Sequence, residues 1–308
     1  MNAHSVKRST SDPTDARVAA SPLAQARAAR TQRQIVFQRL RANRLALVGA
    51  GIVLSLVVMA VVAPVISPHD PVEMVLADQF LPPSRSHPFG TDEFGRDILT
   101  RIFYGARISL RVGVVAVGIA GVVGSLVGLC AGYFGKWVDL ISQQIIDVML
   151  AFPGLLLALA IIAVLGSSLT NVMIAVGIGS VPSYARLMRG QVLSLKQKEY
   201  VEAARAMGAG HWRILSRHIL PNAVSPIIVL ASLGIASSIL SAAALSFIGL
   251  GAQPPTPEWG AMLAAGRDYL RDEWWIATFP GIAIALTVFG FNVLGDGLRD
   301  ALDPKGLE

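Results

Sequence analysis

Side chains capable of ion pairing, proton transfer or ligand binding are sparse in this chain, since only 15% of its residues are charged. Candidate functional residues fall in three places: a charged cluster at residues 92–97, the single Asp147, and the polar segment Lys196–Asn222. A charged cluster is a candidate binding site, and a carboxylate beside an apolar run is a candidate for a transport pathway. The third place has the pattern of a docking element, as argued below.

Sequence spacings that build ATP or metal sites are absent. A phosphate-binding loop needs G-x-x-x-x-G-K-[ST], whereas Gly135-Lys136 is followed by Trp137 and lacks the first glycine. No histidine pair or cysteine cluster has metal-ligand spacing, and His69 and His87 are interpreted as single loop histidines. We therefore expect no catalytic residue, no cofactor, no metal and no ATP hydrolysis by this chain.

The charged cluster has two possible roles. It consists of Asp92, Glu93, Arg96 and Asp97. These residues could form a site, or they could lie in an exposed loop that caps the next helix and is held by internal ion pairs. We adopt the second interpretation.

Asp147 and two arginines lie beside apolar runs. Asp147 is within two helical turns of the polar Gln143-Gln144, so we expect an interfacial position and not a transport role. Arg186 and Arg189 are expected at the inner membrane boundary, where they can extend to lipid headgroups.

The segment Lys196–Asn222 lies between two apolar blocks, residues 148–185 and 219–257, that contain no Asp, Glu, Lys, Arg or His. Each block can hold one or two membrane spans of about 20 residues, so the segment connects membrane helices. Its first half, Gln197–Met207, is rich in alanine and has an i,i+3 pair, Glu202 with Arg205, which favours a helix.

The faces of this helix differ in polarity. One carries Tyr200, Ala203, Ala204 and Met207, and the other carries Glu199, Glu202 and Arg205. Gly208 and Gly210 then end the helix. A second helix is predicted at His211–Ile219, with Trp212, Leu215 and Ile219 on one side, Arg213 and Arg217 on the other, and Pro221 as its end. Two short amphipathic helices joined at a glycine elbow can dock in a partner's groove.

This segment resembles the EAA loop of ABC importer permeases. In that motif Glu-Ala-Ala is followed by three residues and Gly, and then after about nine residues by Ile-x-Leu-Pro. The matching positions are Glu202, Ala203, Ala204, Gly208, Ile219, Leu220 and Pro221. Ile and Leu-Pro are adjacent here, which is common in the peptide and nickel branch of the family. Stretches beginning at Gly90, Leu245 and Asn292 also resemble that branch, so the resemblance covers about residues 43–307.

The resemblance implies an all-α polytopic membrane protein with six transmembrane helices, the type I ABC importer permease fold and a cytoplasmic coupling-helix loop at residues 189–222. It implies alternating-access transport of dipeptides, oligopeptides, a related small solute or nickel. The implied partners are a companion permease in a heterodimer, two ATP-binding subunits, an extracytoplasmic binding protein and membrane lipid, and no nucleic acid. The residues implied to couple to the ATPase are Tyr200, Glu202, Ala203, Ala204, Arg205, Met207, Gly208, Leu220 and Pro221.

Composition independently indicates an integral membrane protein, because soluble domains average about 25% charged residues. Six spans are predicted: 45–66, 112–135, two from the block 148–185 divided near Gly166–Thr170, about 225–250, and 274–295. Residues 1–44 are expected to be a largely disordered cytoplasmic tail. The organisation is then a span at 45–66, an external segment at 67–111 and a permease core at 112–308.

Basic residues predict the orientation. With the N-terminus inside, 19 of the 26 Lys and Arg residues fall in inner segments, as the positive-inside rule requires. Both termini and the segment Lys196–Asn222 are therefore expected in the cytoplasm, and the resemblance implies a prokaryotic cell with the chain in its inner membrane.

Two other classes of function remain open at this stage. A secondary transporter or channel would act alone, but the spans lack buried charge pairs and an evident inverted repeat. A membrane scaffold without transport activity would leave the segment Lys196–Asn222 unexplained. Co-purification separates the three classes, since only the ABC permease predicts a stoichiometrically bound soluble ATPase.

Overall fold

The computed structural model describes residues 37–302, which are predominantly helical, and within them the only β feature is an isolated bridge between Thr91 and Asp97. The predicted cytoplasmic tail lies mostly outside the described residues. Ten helices are numbered here: α1 (Arg44–Ile66), α2 (Ile98–Phe134), α3 (Lys136–Leu150), α4 (Gly154–Leu165), α5 (Leu169–Leu195), α6 (Glu199–Ala206), α7 (His211–Ile214), α8 (Leu220–Phe247), α9 (Trp259–Gly266) and α10 (Trp275–Leu302).

The membrane spans follow from helix length and composition. Among the described residues α1, α2, the continuous helix formed by α7 and α8, and α10 are long and apolar enough to cross a membrane. The pair α3–α4 counts as a fifth span if its two parts, bent by 94°, are taken together. The remaining predicted span corresponds to α5, which at 27 residues is about 40 Å long but carries Asn171, Arg186 and Arg189. The predicted all-α membrane fold is confirmed.

The third predicted span differs most from expectation. The break near Gly166–Thr170 is confirmed, since α4 ends at Leu165 and the Ser168 hydroxyl caps α5 by accepting from the Asn171 N–H at 3.1 Å. However, α4 has only 12 residues, about 18 Å, and cannot cross a hydrocarbon layer of about 30 Å alone. Pro153 disfavours a helical conformation at the residue before it, which accounts for a bend at this point.

The second span begins earlier than predicted. Helix α2 starts at Ile98, not Val112, because the Asp97 carboxylate caps it by accepting from the Thr100 N–H at 2.8 Å. The last 14 residues of the predicted external segment 67–111 are therefore the first turns of α2. The predicted span began where the uncharged run begins, whereas the helix itself also includes Arg101, Arg107 and Arg111.

Close contact between α2 and α5 depends on a row of glycines. Gly124, Gly128 and Gly132 are buried one turn apart on α2 and face α5. A Cβ added at Gly128 would lie 2.3 Å from the carbonyl oxygen of Ala185. Small residues at this spacing let two helix backbones approach in lipid, so this row sets the separation of α2 and α5.

Gly128→Leu is expected to destabilise the bundle by about 1–3 kcal/mol, because the side chain would collide with the backbone of α5. The matched control is Gly118→Leu on the same helix, where no atom lies within 4 Å of an added Cβ. Membrane abundance and the temperature of aggregation in detergent measure the effect. Equal values for the two variants would refute the tight α2–α5 contact.

Candidate functional site

Helix α6 is attached to the membrane bundle through one face. Its buried side chains are Val201 and Ala204, which are 0% and 3% exposed. Val201 belongs to an apolar cluster formed by the end of α5 and the helix after the elbow, with Met188, Val192, Ile214, Leu215, Ile219 and Ala223. Positions 201 and 204 are one turn apart and share a helix face. This inner contact gives α6 a fixed position on the bundle.

The outer face of α6 carries most of the residues predicted to couple to the ATPase. Tyr200 and Met207 are 42% and 82% exposed, and Glu202, Ala203 and Arg205 are exposed with them. One prediction needs correction: Ala204 was assigned to the same docking face, but its side chain lies in the chain's own core. Val201, which shares that inward face, was missed because its neighbours in the folded chain come from α5 and the segment after the elbow.

The elbow at Gly208 has the geometry expected of a glycine. Gly208 has φ +79°. Its N–H donates to the carbonyl of Arg205, and the Ala209 N–H donates to the carbonyl of Ala204, both at 3.0 Å. This pair of bonds is the Schellman arrangement that ends a helix at a left-handed residue. No atom lies within 4 Å of an added Cβ at Gly208, so backbone conformation alone favours glycine here.

The helix after the elbow does not end at Pro221, contrary to the prediction. Residues 211–247 form one continuous helix, with a π turn at Leu215–Ile219 between α7 and α8. The Leu220 N–H donates to the carbonyl of Leu215, five residues back. This wider turn accommodates Pro221 immediately after it, at the start of α8. Proline has no N–H to donate, and none is needed at the first turn of a helix.

Trp212 also lies elsewhere than predicted. Its side chain is 80% exposed, whereas Leu215 and Ile219 are 7% and 0% exposed. The inward face of this helix is instead completed by Ile214, which is 1% exposed. The π turn changes the angular spacing between residues before and after it, so a stripe projected with 3.6 residues per turn assigns Trp212 to the wrong side. Trp212 therefore adds apolar surface near the elbow.

Two hydrogen bonds connect the end of α2 to the segments on either side of α6. The Tyr133 hydroxyl and Nδ1 of His211, the first residue of α7, are 2.8 Å apart, and the ammonium of Lys196, the residue after α5, donates to the carbonyl of Gly132 at 2.9 Å. The chain before α6 and the helix after the elbow are thereby both tied to the end of a membrane-spanning helix. Sequence analysis missed these contacts because their partners are 64 and 78 residues apart.

Arginines of α5 pair with acids of α3, although contact with lipid headgroups was predicted. Arg189 donates to both oxygens of Asp139, at 2.6 and 2.7 Å. Arg186 donates to Asp147 at 2.5 Å, and both of these side chains are more than half exposed. These two pairs hold the polar ends of α3 and α5 together.

The charged cluster at residues 92–97 is buried, although an exposed loop was predicted. Asp92 accepts from Arg96 Nε at 2.7 Å and lies 3.6 Å from Arg101 Nε, and each of the three residues is about 5% exposed. Burial raises the pKa of Glu93, which lies in the same cluster, 3.6 Å from Arg96. The predicted internal ion pairs and helix cap are confirmed.

Arg101 connects this cluster to two other segments between the helices. Its guanidinium donates to the carbonyl of Pro71 at 2.7 Å and to that of Pro255 at 3.3 Å. The segment after α1, the start of α2 and the segment before α9 are thereby joined around one buried group. These segments form a folded cap at one end of the helix bundle, which local sequence patterns could not predict because the partners are far apart along the chain.

The same cap brings together two histidines that were interpreted as isolated. His69 and His87 have stacked rings with centroids 4.8 Å apart, and His87 Nδ1 is 3.0 Å from Asp97 Oδ1. The candidate ligand atoms of these three residues all lie within 4.8 Å of one another. Sequence spacing alone could not reveal this group, because the two histidines are separated by a proline-rich segment of unpredicted path.

The chain matches two family models and is similar over most of its length to several known transport proteins. Residues 124–306 match the model of the binding-protein-dependent transport system inner membrane component, and residues 31–83 match the N-terminal TM domain of oligopeptide transport permease C. A dipeptide transport system permease protein of Alkalihalophilus pseudofirmus is 51% identical over 87% of this chain and 88% of its own length.

Two further relatives have similar coverage. A probable D,D-dipeptide transport system permease protein of Escherichia coli K12 is 48% identical over 86% of this chain and 89% of its own. A glutathione transport system permease protein of Pectobacterium atrosepticum is 47% identical over 94% of this chain and 97% of its own length. Among solved structures, a chain of the inward-facing MetNI methionine ABC transporter superposes with a TM-score of 0.54 at 18% identity, over 67% of this chain and 98% of that one.

Proposed function

The chain belongs to the family of binding-protein-dependent transport system inner membrane components and is a permease subunit of an ABC importer, and we propose that its cargo is a dipeptide, an oligopeptide or a related peptide-like solute. The named relatives support this proposal, because dipeptides, D,D-dipeptides and glutathione are all small peptides or peptide derivatives. These names give no support to nickel, the other cargo that the sequence resemblance had left open.

ATP hydrolysis in this family is performed by separate subunits, and this chain is not an enzyme. Membership implies a companion permease, ATP-binding subunits and a substrate-binding protein. In the complex that we propose, two ATPases bind a heterodimer of permeases from the cytoplasm. The binding protein delivers cargo to the external cap, where the buried ion pairs around Asp92 hold three segments in fixed relation.

The observation that carries the coupling proposal is the division of α6 into two faces. Val201 and Ala204 hold it to the bundle, while Tyr200, Glu202 and Met207 are exposed on the other side. An exposed carboxylate beside apolar side chains suits a groove that offers a basic residue and an apolar floor. Movement of that groove on ATP binding would act on α2 through the Tyr133–His211 and Lys196–Gly132 contacts.

The orientation that we propose places both termini and α6 in the cytoplasm. It rests on the unequal distribution of Lys and Arg, 19 of 26 of which fall in the inner segments. The same orientation puts the folded cap around Asp92, with His69 and His87, on the outer face. The ATPases and the binding protein then meet opposite ends of the chain.

Uptake of labelled peptides tests the cargo directly. Cells that express the complete transporter and lack other peptide importers are expected to accumulate a labelled dipeptide, tripeptide or glutathione, and an excess of the unlabelled cargo should abolish accumulation. Labelled nickel and labelled free amino acids serve as controls. Uptake of nickel without any uptake of peptides would contradict the proposed cargo and would leave the family assignment unaffected.

A further inference from the structure

We propose that His69, His87 and Asp97 form a binding site for one divalent transition-metal ion of the Zn²⁺ class on the external cap. The proposal goes beyond transport, since the ion would join two segments of the cap and would not be cargo. It rests on the convergence of two imidazoles and a carboxylate that are distant in sequence.

Two of the three groups already have fixed positions. His87 is 8% exposed, and its Nδ1 lies 3.0 Å from Asp97 Oδ1. The other oxygen of Asp97 accepts from the Thr100 N–H at 2.8 Å, as the cap of α2. A carboxylate and an imidazole held by a helix start provide the kind of supported ligand geometry that metal sites require.

The third group, His69, is exposed and can complete the site. Its ring is stacked on that of His87 with an interplanar angle of 25°, and its Nε2 is 3.4 Å from the carbonyl oxygen of Ser86. Bonds of about 2.0–2.2 Å to a tetrahedral ion place the ligand atoms about 3.3–3.6 Å apart. The candidate ligand atoms now lie within 4.8 Å of one another, so metal binding requires the His69 ring to turn toward the other two groups. The exposure of this ring leaves it free to turn and gives the ion a path to the site.

The ligand types select the metal. Two neutral nitrogens and one carboxylate oxygen suit Zn²⁺, with Co²⁺, Ni²⁺ and Cu²⁺ as chemical alternatives, and a water molecule can supply a fourth ligand. Mg²⁺ and Ca²⁺ prefer sites made entirely of oxygen. The bound ion would fasten the segment that follows α1, through His69, to the capped start of α2, through Asp97. It would thus connect the external ends of two membrane spans.

Titration with Co²⁺ tests the site without any transport assay. The full-length chain, purified in detergent with a tag that contains no histidine, is expected to bind one Co²⁺ with the visible absorption of a low-symmetry four-coordinate ion. One equivalent of Zn²⁺ should remove the band. His69→Ala and His87→Gln should each weaken Zn²⁺ binding by more than about tenfold, the lower end of the loss seen even for outer partners of metal ligands.

Matched variants make the result specific. Asp70 is next to His69 in sequence, and its exposed carboxylate accepts from the Val72 N–H and is not part of the cluster. Asp70→Asn should therefore leave the titration unchanged. His69→Ala changes an exposed side chain, so the variant is expected to fold. Absence of a saturable Co²⁺ band in the unsubstituted chain, or an unchanged band in both His69→Ala and His87→Gln, would overturn the proposal.

Discussion

Replacement of Asp92 by alanine is expected to destabilise the folded cap by about 3–5 kcal/mol, the cost typical of removing one partner from a buried ion pair. Asp92 faces Arg96 and Arg101, both of which are 4% exposed. It also accepts from the N–H groups of Phe94 and Arg96 at 2.9 and 3.0 Å. The variant would leave two buried guanidinium groups without this carboxylate and would free the turn that leads into α2.

Thermal aggregation of the detergent-purified chain and its abundance in the membrane measure this effect. The control is Asp268→Ala, which also removes an aspartate from an ion pair. In that pair the side chains of Asp268 and Arg267 are 72% and 60% exposed. Exposed pairs contribute little to stability, so the control should behave as the unsubstituted chain does. If Asp92→Ala and Asp268→Ala have the same melting behaviour, the buried cluster does not stabilise the cap.

Glu202→Ala is expected to weaken assembly with the ATPase by roughly ten- to a hundredfold. A charge-assisted contact from this carboxylate to a basic residue of the ATPase would contribute about 1.5–3 kcal/mol. The side chain is exposed, so the variant should insert into the membrane normally. Glu199→Ala is the matched control, because Glu199 is an exposed acid on the same helix one turn earlier and lies outside the family motif. Co-purification of the ATPase at several concentrations gives the affinity, and equal losses in both variants would point to a general charge effect.

Gly208→Val is expected to impair coupling through the backbone. A β-branched residue at φ +79° costs about 1–3 kcal/mol or forces the elbow to change, and that change would move α7 relative to α6. Gly210→Val provides an unusually close control, because Gly210 has φ −67° and, like Gly208, no atom within 4 Å of an added Cβ. Peptide-stimulated ATP hydrolysis should fall only for Gly208→Val. Full activity of both variants would show that the elbow's conformation does not matter.

Local sequence signals predicted the elements of the coupling region well. Alanines and the Glu202–Arg205 pair indicated a helix at Gln197–Met207, and the structure has one at Glu199–Ala206. Gly208 was predicted to end it and does so at a positive φ. Pro221 gave the wrong signal, because the π turn before it lets the chain continue as one helix. Leu215 and Ile219, at the two ends of this turn, are buried, and a π turn has no clear signal in a local sequence pattern.

Burial and long-range pairing could not be predicted from the sequence. Residues 92–97 are hydrophilic and lie among prolines and glycines, which is typical of an exposed loop, yet Asp92, Arg96 and Asp97 are buried, and Arg101 beside them donates to the carbonyls of Pro71 and Pro255. The proximity of His69 and His87 depends on the same folded cap. The prediction placed Ala204 on the docking face because it assigned the whole apolar surface of α6 to the ATPase. The chain itself covers the part of that surface around Val201 and Ala204.

Cross-linking from the outer face of α6 tests the central claim most directly. A photoactivatable thiol probe is attached to Met207→Cys, an 82% exposed position, after Cys130, which is also exposed, has been replaced by alanine. The control position is Leu270→Cys, which is 54% exposed in the segment between α9 and α10. The account predicts a covalent adduct with the ATPase from Met207→Cys and none from Leu270→Cys in the same complex. Complete labelling at Met207→Cys without an ATPase adduct would contradict the assignment of this face as the coupling surface.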